Sequence, residues 1–196
     1  MSAAPAAGRD SKEDRRTKYT KMVLSQSLLE LMQEKEIARI TVTEICRRAD
    51  INRNTFYKYY YGPEDLLSTI EEQLMEIITG SLSQSRDVTK MGRDLLSIIL
   101  ANKDLCRVIL SDHGNQELLH RILKLTRHAF LEEWKLRVKP GHARKVENMY
   151  LYGEGGMIAL IRHWVASDFR DDIEDLVPYF PFTNAMIGEE IEKHAR

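Results

Sequence analysis

The sequence predicts an all-α protein, on three observations. Apolar residues recur three and four positions apart through almost the whole chain, the spacing that lines one face of a helix. No stretch shows sustained apolar/polar alternation bounded by turn pairs, the mark of a half-buried strand. Segment ends carry helix punctuation: Thr41 and Asn52 as N-caps, Gly62-Pro63 and Pro140-Gly141 as breaks.

The first helix has Val23, Leu24, Leu28, Leu31 and Met32 on one face, is preceded by Arg15, Arg16, Lys18 and Lys21, and fades near Glu34–Glu36. Thr41-Val-Thr-Glu44 then forms a capping box. The Thr41 hydroxyl accepts from the amide of residue 44, and the Glu44 carboxylate accepts from the amide of Thr41. A short helix runs to about Ala49, and Asn52 opens another from Arg53 to about Tyr60. Gly62 stops it. Pro63 is suited to the first position of the next helix, where Glu64 and Asp65 complement the dipole. That helix carries the stripe Leu66, Leu67, Ile70, Leu74, Ile77 and Ile78. Apolar segments follow at Leu95–Leu100, Leu105–Leu110 and Gln116–Val138. A long helix spans His142–Ser167, and a last one spans Thr183–His194 after the interruption Pro178-Tyr-Phe-Pro181, read as a linker, a lid or a turn.

Composition bounds the class. At 196 residues the chain holds one or two compact domains. Ten Gly and five Pro exclude collagen-like and low-complexity chains. A membrane span needs about 20 apolar residues, and the best run, Leu95 to Ala101, is far shorter, so no membrane is expected. Met1–Gly8 lacks the basic and apolar regions of a secretory signal, and residues 1–14 read as a disordered tail. Cys46 and Cys106 lie inside apolar-periodic segments, which suits buried thiols and a cytoplasmic location. The net charge of −1 hides a split: residues 1–61 carry 12 basic and 8 acidic side chains, a net of +4, and residues 62–196 carry −5. A basic head on an acidic body points to a polyanion-binding segment attached to something else.

Two short helices separated by Ala49-Asp50-Ile51 form a helix-turn-helix pattern. Asp50 falls at the left-handed turn position, which Asp tolerates better than most residues with a Cβ. Cys46 is small enough to let the helices approach, with Ile45, Ile51 and Phe56 as apolar contacts. The second helix presents Arg53, Asn54, Thr55, Tyr57 and Lys58. A recognition helix places its N-terminal side chains on base edges. Arg pairs with guanine, Asn with adenine, and Thr contacts the thymine methyl. Tyr and Lys suit phosphates, and Thr43 and Arg47 would face the backbone.

The segment Ile40–Leu67, with Thr55-Phe-Tyr57 and Glu64-Asp-Leu-Leu67 as its most specific parts, resembles the DNA-binding signature of TetR/AcrR-type transcriptional regulators. The likeness covers about residues 15–75; behind it only the helical layout matches, with Gly153-Glu-Gly-Gly156 leading to Trp164. The resemblance implies a homodimer in which a three-helix reading head, residues 15–62, precedes a helical ligand-sensing and dimerisation domain, residues 63–196. It implies base contacts from Arg53, Asn54 and Thr55. Phosphate or base-methyl contacts would come from Thr43, Tyr57, Lys58 and Tyr59, with Phe56 and Tyr60 in the core. The chain departs from the family at Asp50, where Gly is usual, and at Pro63, where a phosphate-gripping Lys is common. Phosphate binding then leans on Lys58, Arg47 and the arm Arg9–Lys21, unless that arm is only a solvated tail.

In the body, Gly153, Gly155 and Gly156 within a helix cost roughly 1 kcal/mol each relative to Ala. Either close helix packing or a pocket wall must offset that. His128, Tyr150, Tyr152, Glu154 and Arg162 are candidate ligand contacts, and the helices 142–167 and 171–195 are candidate dimer elements. The six His form no metal-ligand pattern with carboxylates or Cys, and no nucleophile, Walker or dinucleotide motif occurs. The expectation is therefore no enzyme, no catalytic residue, no metal and no cofactor. The reading is a cytoplasmic, homodimeric, effector-responsive repressor on a palindromic double-stranded DNA operator. The alternative is a coactivator or adaptor of the same fold acting through protein contacts.

Overall fold

A computed structural model describes residues 7–84, 87–111 and 116–194. Among the described residues every regular element is helical, and no helix is long and apolar enough to cross a membrane. The chain divides into two compact units, Met1–Glu72 and Gln73–Arg196, ten residues later than the break expected at Gly62. The difference comes from α4 (Pro63–Gln84), whose first turns carry the buried Leu66, Leu67 and Ile70.

In the first unit, α1 spans Ala7–Glu34. The tail expected over residues 1–14 is thus helical from Ala7, and residues 1–6 lie outside the described residues. Nothing between Gly8 and Glu34 breaks a helix, and Asp14 pairs with Lys18 one turn on at 2.9 Å. A 3-10 turn, Ile37–Arg39, leads to α2 (Val42–Ala49) and α3 (Arg53–Phe56). Leu24, Leu28, Ile45, Phe56 and Leu66 are completely buried. Burying each such side chain contributes about 1.5–3 kcal/mol.

The second unit contains α5 (Val88–Ala101), α6 (Lys103–Leu110), α7 (Gln116–Arg137), α8 (Ala143–Ala166), α9 (Ile173–Leu176) and α10 (Tyr179–His194). The helix α8 packs against α6, α7 and α10. One apolar cluster gathers around Trp164 with Leu96, Phe169 and Leu176, and the indole N–H of Trp164 donates to the Asp171 carbonyl at 2.9 Å. Another holds Leu131, Val138, Val146 and Ile187. Asp168 and Phe169 both take positive φ, 60° and 57°, a conformation costly for a bulky residue. Burial of the Phe169 ring edge-on to Trp164 at 5.1 Å offsets it, as does Arg107, which pairs with Asp168 at 2.5 Å and lies 5.3 Å from the ring centre.

The last two helices differ from expectation. Asp172 and Asp175 form a capping box that opens α9, and Arg93 grips Glu174 through two bonds of 2.7 and 2.9 Å, tying α9 to α5. The final helix starts at Tyr179 rather than Thr183. Pro181 sits in its first turn, where the missing N–H has no partner to lose. The Pro178–Pro181 stretch is therefore a helix start, and it lays the Phe180 ring against Gly92 of α5.

Candidate nucleic-acid interface and ligand cavity

Local chemistry sets the helix-turn-helix. Thr41 and Glu44 close the capping box, with the Glu44 amide donating to the Thr41 hydroxyl at 3.3 Å and the Thr41 amide donating to the Glu44 carboxylate at 3.0 Å. Lys35 adds a 2.6 Å ion pair to the same carboxylate. The hydrogen bond from Lys35, and then those from Thr41, hold Glu44 down at about 2. Asp50 ends α2 in the left-handed region, φ 52° and ψ 42°. The Cys46 carbonyl accepts from the amides of both Asp50 and Ile51. Asn52 caps α3 through its side-chain oxygen, 2.8 Å from the Asn54 amide. The α-helix stops at Phe56. The backbone then tightens, because the Tyr59 amide donates to Phe56 three residues back, so the helix expected to reach Tyr60 ends as turns.

This framework exposes one set of polar groups and ties down another. Thr43, Arg47, Arg53, Asn54, Tyr57 and Lys58 are exposed, while Thr55 and Tyr59 are half-buried. Arg47, Arg53 and Lys58 make no ion pair among the described residues. Arg48, by contrast, is held by Glu34 at 2.8 Å and Glu30 at 4.0 Å. Thr43 and Arg47 share a face of α2 one turn apart, as do Arg53 and Tyr57 beyond the turn. Tyr59 leans on α1: its ring lies 5.5 Å from the Lys21 ammonium and its hydroxyl 3.4 Å from that of Thr17. Phe56 and Tyr60 are buried. Pro63 occupies the first position of α4, and Asp65 there accepts from the Tyr61 amide at 2.9 Å.

The second unit contains a half-open cavity of about 230 Å³. Its walls are mostly aliphatic, from Leu74 and Ile78 of α4, Met91 and Leu95 of α5, Ile122 of α7 and Ile158 of α8. Thr126, Tyr150 and Glu154 supply polar groups. Glu154 accepts from Arg127 at 2.9 Å through one carboxylate oxygen. Burial pushes the Tyr150 hydroxyl up to about 12; the neighbouring Glu154 carboxylate adds to that effect and Thr126 opposes it. Cys106 faces the same space, and burial raises its thiol to about 12.

The second unit also matches a known sequence pattern. A TetR-type family model, described as a transcriptional regulator C-terminal region, matches residues 86–180. An HTH-type transcriptional regulator of Bacillus subtilis (strain 168), YxbF, is 28% identical over 159 residues, covering 79% of this chain and 38% of its own length. The chain is thus similar to TetR-type transcriptional regulators, in sequence pattern over residues 86–180 and along most of its length to an HTH-type regulator. Another relative is the dhaKLM operon transcriptional activator DhaS of Lactococcus lactis subsp. lactis (strain IL1403), 37% identical over 60 residues, or 30% of this chain and 32% of that protein. The chain thus matches only about a third of the length of these curated relatives. A TetR/AcrR regulator from Aquifex aeolicus VF5 shares the fold with a TM-score of 0.62 at 19% identity, over 86% of this chain and 99% of that one.

Of the candidate ligand contacts, Tyr150 and Glu154 line the cavity. Arg162, on the same helix, is not among its lining residues, and the His128 side chain lies outside the described residues. Tyr152 is three-quarters exposed. The glycines divide: Gly153 lines the cavity, whereas Gly155 and Gly156 are exposed and a Cβ on either would meet nothing. Sequence reasoning missed Thr126, Arg127 and the Gly92–Phe180 contact. Only the spacing of Arg127 and Thr126 on an amphipathic helix hinted at the first two.

Proposed function

We propose that this chain is a TetR/AcrR-type regulator: a cytoplasmic, effector-responsive repressor that binds a palindromic DNA operator as a homodimer. The observation that carries this reading is the exposed trio Arg47, Arg53 and Lys58 on a capped helix-turn-helix. Three cations without carboxylate partners suit a polyanion, and their helices offer Thr43, Asn54 and Thr55 for base edges and phosphates. Dimerisation suits the outward face of α8. Leu151, Tyr152, Gly155, Gly156 and Ala159 are all exposed there, and α10 adds the exposed Tyr179 and Phe182. Helical glycines that touch nothing within their own chain are best explained by close approach of a second copy. The cavity then takes an effector, which acts by favouring conformations unable to reach two successive major grooves, about 34–36 Å apart.

Selection of purified chain against random duplexes tests the reading. Enrichment of a palindrome with two half-sites supports it; failure to enrich any sequence favours the rival adaptor acting through protein contacts. The departures from the family at Asp50 and Pro63 are what would favour that rival. Asp50 adopts the left-handed turn a Gly would serve, so its side chain is compatible with the helix-turn-helix. The activator named for the Lactococcus relative makes the sign of regulation a separate question for a reporter assay.

A further inference from the structure

Among the described residues, the cavity wall holds a polar atom without a well-placed partner. Glu154 spends one carboxylate oxygen on Arg127, while its other oxygen, Oε1, is buried and has no hydrogen bond of good geometry, with the Tyr150 hydroxyl the carboxylate's polar neighbour. A buried acceptor left unmatched is costly. Glu154 lines the cavity beside Tyr150 and Thr126, and most of the remaining wall is aliphatic. The pair is also already neutral in sum. An anionic ligand would confront the carboxylate, and a cationic one would bring an additional charge into an apolar space, which is costly. A neutral ligand carrying an O–H or N–H donor answers both the orphan oxygen and the charge balance.

Size narrows the class further. An apolar cavity of about 150 Å³ accommodates benzene, so about 230 Å³ accommodates roughly ten non-hydrogen atoms. We infer that the effector is a compact neutral amphiphile, an apolar body of about this size bearing one hydrogen-bond donor that binds Glu154 Oε1. This inference rests on the effector-responsive reading of the same cavity.

The test is calorimetric titration of the full chain, without DNA, using four probes of matched length: 1-octanol, n-octane, octanoate and octylamine. The expected order places 1-octanol tightest, about tenfold or more ahead of octane and octanoate, with octylamine weaker than the alcohol. Glu154→Gln keeps an oxygen acceptor and should hold octanol within about threefold. Glu154→Met removes the acceptor and should lose about tenfold for octanol while leaving octane unchanged. Octane or octanoate binding as tightly as octanol overturns the inference. So do octylamine binding more tightly than octanol, octanol failing to bind, and Glu154→Met binding octanol like the parent. Operator release is read separately by gel shift. Octanol that binds through Glu154 yet leaves the DNA complex intact supports the ligand class and counts against effector control.

Discussion

Arg53 and Lys58 stand a turn or so apart, both exposed and both free of ion pairs among the described residues, yet their expected roles separate cleanly. Arg53→Ala is expected to cost about 1–3 kcal/mol of operator binding and to relax preference at one base position. Lys58→Ala is expected to weaken all duplexes alike and to lower the slope of log affinity against log salt by about one. Binding isotherms on the selected operator and its single-base variants, over a salt series, separate the two; an unchanged profile for Arg53→Ala removes it from the reading face. Glu44 makes a different prediction. Its folded-state value of about 2 lies below the ordinary 4.5, so the stability it contributes is full above the ordinary value. That contribution is lost as pH falls from there towards 2. Thermal unfolding followed between pH 6 and pH 2 should show an acid-dependent loss that shrinks in Glu44→Gln. These residues were legible because their chemistry is local: a Thr and a Glu three apart, or an Asn before a helix, need no knowledge of the rest of the chain. The Arg48 ion pairs with Glu30 and Glu34 were not legible, because they join residues 14 and 18 positions apart.

Element boundaries followed the same division. The starts of α2 and α4 were readable because caps and prolines act within a turn. The early end of α3 and the early start of α10 were not. The first depends on a backbone that tightens after Phe56 is buried, and the second on Phe180 finding Gly92. A Cβ at position 92 would lie 2.4 Å from the Phe180 ring, with the nearest atom the one that joins the ring to its backbone. The ring cannot simply swing its tip aside. Gly92→Ala therefore forces α5 and α10 apart despite its better helix propensity, and it is expected to destabilise the second unit by about 1–3 kcal/mol. Calorimetric unfolding reads the effect, and Gly92→Ala paired with Phe180→Leu should recover part of it. A stabilised single variant would mean that the ring yields freely. The cavity itself was only half legible: Tyr150 and Glu154 could be read as polar groups one turn apart on one helix, whereas the aliphatic wall drawn from α4, α5, α7 and α8 exists only once those elements pack.

For the whole molecule, the uneven charge mattered more than its near-zero sum. The basic residues of the head were readable as a distribution, but which of them stay unpaired was settled by folding. Association is tested on the outer face of α8. Gly155→Trp meets open space within its own chain, so the fold should persist, judged by an unchanged helical dichroism spectrum, while sedimentation should shift from dimer towards monomer. A variant that sediments with the parent excludes this face from the contact. The two cysteines have a use of another kind. Cys46 lies in the first unit and Cys106 in the second, both are buried, and burial raises both thiols, which leaves little reactive thiolate in the closed state. Alkylation must then wait for opening, so each sulfur acts as an independent clock for the local breathing of its own unit. Pulse labelling read by peptide mass should give two rates, and octanol should slow the Cys106 clock while leaving that of Cys46 running as before.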